Sequence, residues 1–115
     1  MAHNLQYQHC IEACIRCASV CENCASACLR EKDVKMMVRC IQLDRECAAI
    51  CSAVAKVMSM HGQMADQLCR ICAEICQACG DECAKHHHHM DHCRECAEMC
   101  YRCAEECRNM ASIAA

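Results

Sequence analysis

The sequence predicts an all-α fold, an antiparallel up-down-up-down four-helix bundle with a cysteine-lined core. Three observations carry this. Cys10, Cys14, Cys17, Cys21, Cys24 and Cys28 step by 4, 3, 4, 3 and 4, the period of a helix seam that faces other helices. The same ladder returns at Cys69, Cys72, Cys76, Cys79 and Cys83, and again at Cys93, Cys96, Cys100, Cys103 and Cys107. The 115 residues contain no Pro, two Gly and only Tyr7 and Tyr101 as aromatics, a composition that suits helices and fits sheets poorly. That length suffices for one domain, residues 1–115, around one core.

The first helix is expected over about 9–30, after a polar stretch at 1–8 with no pattern. Its outer face carries Glu12 and Arg16 at i,i+4, a favourable surface pair. The link is Glu31-Lys32-Asp33, and the Asp33 side chain can cap the next helix. The second helix is expected over about 34–60, with Met37, Cys40, Asp44, Cys47, Cys51, Val54 and Met58 at seam positions. This register puts Asp44 among the thiols or at the edge of the seam. Unpaired buried carboxylates are rare. The expected arrangement is therefore a slight rotation that brings Leu43 inside and leaves Asp44 to solvent or to an Arg.

His61-Gly62 ends the second helix, with Gly62 as the left-handed cap. The third helix is expected over about 64–85. Gly80 lies inside it, at a cost of about 1 kcal/mol relative to Ala that close packing would justify. A histidine run, His86 to His89, precedes Met90, Asp91 and His92, and the fourth helix follows over about 90–110. Glu98 and Arg102 form another i,i+4 pair, and residues 111–115 are expected to fray. Short links force neighbouring helices antiparallel. One end of the bundle then gathers the histidine run, Met36 and Met37, and the other gathers Met58, Met60, Met64 and Met110. Ile11, Ile15, Ala18, Ala25, Leu29, Leu68, Ile71 and Ile75 form a second apolar stripe, which lies either at helix–helix edges or between protomers.

The net charge is −3, with no basic stripe or stacking aromatics, so no nucleic-acid partner is indicated. No signal peptide and no apolar stretch of membrane-spanning length is visible, which points to a cytoplasmic protein without membrane contact. The 19 cysteines are odd in number and sit on regular helical ladders, unlike the Gly- and Pro-rich loops of disulfide scaffolds. In a reducing cytosol they read as metal ligands. A CxxC step can also be a redox pair, but such pairs sit beside a strand and no strand is predicted, so no catalytic residue is assigned and the protein is not expected to be an enzyme.

Residues at i and i+4 on a helix have Cβ atoms about 5–6 Å apart. The eight CxxxC pairs can each hold a soft ion between two thiolates in a near-linear arrangement. Soft thiolates select Cu(I), Zn(II) or iron–sulfur clusters. Zinc wants a tetrahedron of four ligands. Cluster motifs use spacings such as C-x2-C-x2-C with a following Pro, which this chain lacks. Buried thiolates left unpaired would be prohibitive. One monovalent ion per thiolate leaves the core neutral, whereas a divalent ion shared by four leaves it negative. Charge compensation thus favours Cu(I), on the order of 15 to 20 ions per chain. The ligand candidates are all 19 cysteines, including Cys40, Cys47 and Cys51 of the second helix, together with His86 and His92 at the mouth. The roles of Asp44 and of His87, His88 and His89 are left open. The methionines are expected to be core filler.

The ladders CIEACIRCASVCENCASAC, CIQLDRECAAIC, CRICAEICQACGDEC and HCRECAEMCYRCAEEC span about residues 9–108. In these the chain resembles the bacterial copper storage proteins. The resemblance implies a four-helix bundle holding many Cu(I) ions, mainly through CxxxC thiolates, a homotetramer, and the cytosolic branch that lacks a signal peptide. It implies histidines before the fourth helix, which His86 and His92 match, while His87 to His89 depart from the pattern. Two other functions remain open at this point: a metallothionein-like zinc or cadmium detoxifier, and an iron–sulfur electron carrier.

Overall fold

The computed structural model describes residues 2–88 and 90–114, with side chains described for 5–88 and 90–111. Four long helices form: α1 (Ala2–Leu29), α2 (Val38–Ser59), α3 (Ala65–Ala84) and α4 (Asp91–Ala114). Among the described residues there is no strand. The α1 helix packs on α2 and α4, and α3 packs on α4 and α2, so the helices form a ring in chain order. This is the expected up-down-up-down arrangement, drawn out to 48 × 20 × 17 Å.

The element bounds depart from expectation in three places. The first helix begins at Ala2, not near residue 9. Its first turns are held by Tyr7, half-buried against the core and stacked on His61 at 5.5 Å between ring centroids. Helical backbone continues to Ala114, past the expected fraying point, with Met110 and Ala111 buried. Residues Val34–Met37 form a separate 3-10 turn, which drops Met37 into the core. Asp33 caps this turn through its backbone carbonyl, which accepts from Met36 N–H at 3.1 Å, and its side chain makes no capping bond.

The end of α2 uses the expected motif with its residues shifted by one. His61, not Gly62, has the positive φ, at 54°. His61 N–H donates to the Met58 carbonyl and Gly62 N–H to the Val57 carbonyl, both at 3.0 Å, which is a Schellman cap with His at the left-handed position. Gly62 is required by space, since a Cβ there would lie 2.7 Å from Val57 Cγ1. The surface pairs expected between Glu12 and Arg16 and between Glu98 and Arg102 do not form. Glu12 accepts instead from Gln8, and Arg70–Asp66 and Arg94–Asp91 are pairs that do form.

Gly80 has the close neighbour its position requires. A Cβ there would meet Tyr101 Cε1 at 2.7 Å, Tyr101 Cδ1 at 2.9 Å and Cys100 Cβ at 3.3 Å. The Tyr101 ring packs against α3 at Gly80, and its hydroxyl donates to Asp81 Oδ1 at 2.8 Å. Arg108 continues this seam by donating to Gln77 at 2.7 Å. Gly80→Ala is expected to push the ring off Asp81 and to cost about 1–2 kcal/mol, an overpacking penalty partly offset by helix propensity. In a Tyr101→Ala background the same change should become neutral or stabilising. A denaturant double-mutant cycle checks this, and equal effects in both backgrounds would refute the contact.

All 19 cysteines are buried and unpaired as thiols. Val54, Met37, Met58 and Met110 are buried in the core at positions without a thiol. The second apolar stripe divides. Ala18 and Ala25 are buried, and Ile11, Leu68 and Ile75 pack half-buried on the core, whereas Ile15, Leu29 and Ile71 stay exposed. No helix is long and apolar enough to cross a membrane among the described residues.

Candidate metal centre

The heptad spacing turns each ladder onto the bundle axis, and four helices deliver their sulfurs to one column. Within helices, the CxxxC sulfurs of Cys17/Cys21, Cys24/Cys28, Cys47/Cys51, Cys72/Cys76 and Cys96/Cys100 are each 3.9 Å apart. Between helices most of the contacts are as close or closer. Cys21 meets Cys100 at 3.6 Å, Cys51 meets Cys72 and Cys76 at 3.6 Å, and Cys40 meets Cys83 at 3.5 Å. Cys107 lies 3.8 Å from both Cys10 and Cys14.

These contacts merge into quartets whose ligand atoms all lie within 4.8 Å of one another. Cys14, Cys72, Cys103 and Cys107 form one, and Cys17, Cys47, Cys51 and Cys76 another. Cys17, Cys21, Cys47 and Cys100 overlap the second, and Cys21, Cys79, Cys96 and Cys100 overlap the third. Cys17, Cys21, Cys47 and Cys100 join the last three of these quartets, and the Cys51–Cys72 contact links the first to them, so neighbouring ions could share bridging thiolates.

The sulfur separations say what geometry the resting column favours. For a soft-metal–sulfur bond of about 2.3 Å, the zinc–thiolate length, two sulfurs 3.9 Å apart subtend about 116° at the ion. That angle suits three sulfurs around an ion, the third coming from a facing helix. A linear two-sulfur site requires the pair to spread to about 4.6 Å on the same bond length, a shift within reach of thiol rotamers.

Asp44 corrects the sequence reading. It is fully buried, and Leu43 beside it is buried as well. No Arg reaches it. Its Oδ1 accepts from Cys79 at 3.1 Å, Cys96 at 3.3 Å and Cys83 at 3.4 Å, and Cys40 Sγ lies 3.8 Å from Oδ2. The rarity of unpartnered buried carboxylates does not apply, because thiols are partners. Burial, with the sulfurs of Cys96, Cys79 and Cys40 adding to it, pushes the carboxyl up to about 11, so it is a neutral acid at pH 7. The seam register alone placed it here, and the general preference for exposing Asp overrode that signal. Among the crowded thiols, Cys100 shows the same direction of shift. Cys100 is raised by Cys17 and Cys21 and further by its burial.

The histidine end has a mixed site. Cys24, Cys28, Cys93 and His92 place four ligand atoms within 4.8 Å of one another. His92 Nδ1 is 3.6 Å from Cys24 and Cys93 and 3.9 Å from Cys28. Its other nitrogen, Nε2, is 3.0 Å from Glu31 Oε2. A carboxylate only accepts, so the proton sits on Nε2 and the Nδ1 lone pair faces the sulfurs. This is the outer-shell device that fixes a ligating histidine. Glu31 was not foreseen, since its partner is far away in sequence.

His86 is placed differently. Its Nε2 lies 3.3 Å from Glu82 Oε2, and its hydrogen-bond partners include no thiol side chain. Glu82 is buried and also pairs with Lys85 at 3.2 Å and Arg39 at 3.7 Å. Burial raises its carboxyl, but the hydrogen bonds from Lys85 and His86 outweigh that and leave it below the usual range. His89 lies outside the described residues. Two methionine sulfurs touch the column, Met58 at 3.7 Å from Cys69 and Met90 at 4.0 Å from Cys93, more than the filler role expected of them.

A sulfur column of this kind has relatives. The family described as Csp, copper storage protein, matches residues 3–112. The chain belongs to the copper storage protein family. It is 48% identical over 103 residues to the uncharacterized cysteine-rich protein YhjQ of Bacillus subtilis (strain 168), covering 90% of this chain and 94% of that protein. Among solved structures, a cytosolic copper storage protein from Streptomyces lividans loaded with five coppers superposes with a TM-score of 0.94. The two are 40% identical, and the match covers 96% of each chain. The Cu(I)-bound copper storage protein BsCsp3 gives a TM-score of 0.87 at 46% identity, over 92% of this chain and 98% of that one. Membership of this family is what the cysteine ladders led the sequence reading to expect.

Proposed function

We propose that this chain is a cytosolic, non-enzymatic Cu(I) store, folded as one domain over residues 1–115. Its ions would be held by the thiolates of all 19 cysteines, with His92 as a nitrogen ligand at the mouth. The observation that carries this is the continuous column of buried thiols, in which each proton can be exchanged for one monovalent ion without leaving net charge. Isolated four-sulfur sites would suit zinc. Overlapping quartets joined through Cys17, Cys21 and Cys100 instead suit bridging by a soft monovalent ion. Copper as cargo, not a resident cofactor, fits the family and the relatives that carry it.

The test is competition under anaerobic conditions. Reduced protein pre-equilibrated with Zn(II) should release all zinc held by its thiols as Cu(I) is added. Zinc still bound to thiols at full Cu(I) supply would favour the metallothionein-like reading.

Ions are expected to enter at the histidine end, where His92 turns a lone pair toward Cys24, Cys28 and Cys93. His86, lying outside the thiol cage, would act before His92 on that route. Replacing both by Ala should slow Cu(I) loading roughly tenfold or more, by the usual cost of disturbing a ligand shell, and leave capacity nearly unchanged. Stopped-flow loading measures this, and an unchanged rate would remove the gate. A homotetramer, as the resemblance implies, would use exposed apolar residues such as Ile15 and Met60, which line one groove between α1 and α2. Sedimentation analysis of an Ile15→Lys variant checks that assembly.

A further inference from the structure

The thiol cage uses only part of the histidine run. His92 faces the sulfurs, but His87 and His88 lie beyond that cage, on the turn after α3. His87 Nδ1 is hydrogen-bonded to the Ala84 carbonyl oxygen. A carbonyl only accepts, so the proton is on Nδ1 and the lone pair on Nε2. Ligating histidines are prepared in this way, with one ring N–H held by a backbone carbonyl and the other nitrogen left for an ion. The ring of His88, which is exposed, packs against that of His87 with centroids 3.7 Å apart and planes at 41°. A carbonyl-oriented imidazole thus has a second imidazole directly beside it and open to water.

We propose that His87 and His88 form a surface site for a borderline divalent cation of the Zn(II), Ni(II) or Cu(II) class, separate from the thiol core. The chemistry is selective. Imidazole nitrogen suits these ions, whereas a column of thiolates favours soft Cu(I). Two imidazoles supply part of the coordination shell, and water at this exposed turn completes it. The molecule then sorts metals by class, with borderline ions on the turn and soft ions in the bundle. The core's preference rests on the storage reading, but the site on the turn does not.

The experiment adds Zn(II) to protein labelled with 15N-histidine, after the core has been filled anaerobically with Cu(I). The ring resonances of His87 Nε2 and of His88 should shift on binding, while His87 Nδ1 keeps its proton. A His87→Ala/His88→Ala variant should lose Zn(II) affinity by at least about tenfold, as for loss of metal-shell contacts, with Cu(I) capacity unchanged. Unmoved His87 and His88 resonances at saturating Zn(II), or unchanged affinity in the double variant, would overturn the proposal. Failure to fill the core with Cu(I) would show before zinc is added and would count against storage alone. The same ring resonances would then be read on the metal-free protein.

Discussion

Replacing Asp44 by Asn should stabilise the metal-free protein by about 4 kcal/mol at pH 7. The carboxyl is raised to about 11 in the fold, against about 3.9 in an unfolded chain. Below about pH 4 both states hold the proton, and the group costs folding nothing. Above that, the unfolded chain ionises while the folded one keeps its proton. Stability then falls by about 1.4 kcal/mol for each pH unit until the folded group itself titrates. Asn keeps the shape and the Oδ1 acceptor that Cys79, Cys83 and Cys96 use, and it cannot ionise in either state. Denaturant midpoints of both proteins between pH 5 and pH 8 give the comparison. Their difference should widen by about 4 kcal/mol over that range. Parallel curves would mean that the carboxyl is not held neutral in the core.

Filling the core should remove thermal unfolding from the accessible range. Metal-free protein is expected to be folded and helical, because protonated thiols pack as small hydrophobes. All 19 lie buried here as thiols. Each ion bound at about a hundred times its Kd adds about 2.7 kcal/mol. Five such ions would add about 13 kcal/mol, and a chain of this size gains several degrees in Tm per kcal/mol. Circular dichroism melts with and without Cu(I) test both halves. A disordered metal-free chain would show that the metal builds the fold, as in a zinc finger. A rise of only a few degrees would show that the ions sit outside the bundle.

The cysteine ladders were legible because one spacing states both the helix period and the seam. Four helices and a sulfur core follow from it directly, and adjacency to Cys93 marked His92 as a candidate ligand. What was not legible depends on residues far apart in sequence. The first turns of α1 carry no ladder and are held by Tyr7 stacking on His61. Glu31 matters only because the fold brings His92 to it. Asp44 was visible in the register, but a rule drawn from ordinary apolar cores displaced it, and a core of thiols can satisfy a carboxyl that Leu and Val cannot. At the end of α2 the motif was right and its residues were not. Gly was expected at the positive φ, yet His61 takes it and Gly62 makes room for Val57.

The central claim is that the thiol column is a store, with ions approaching one per cysteine. Anaerobic titration of fully reduced protein with Cu(I), read against a competing chromogenic chelator, tests it most directly. Saturation is expected at about 15 to 20 Cu(I) per chain, the number that neutralises the thiolates. Saturation near about four ions, the count expected if each took a tetrahedron of sulfurs, would contradict it.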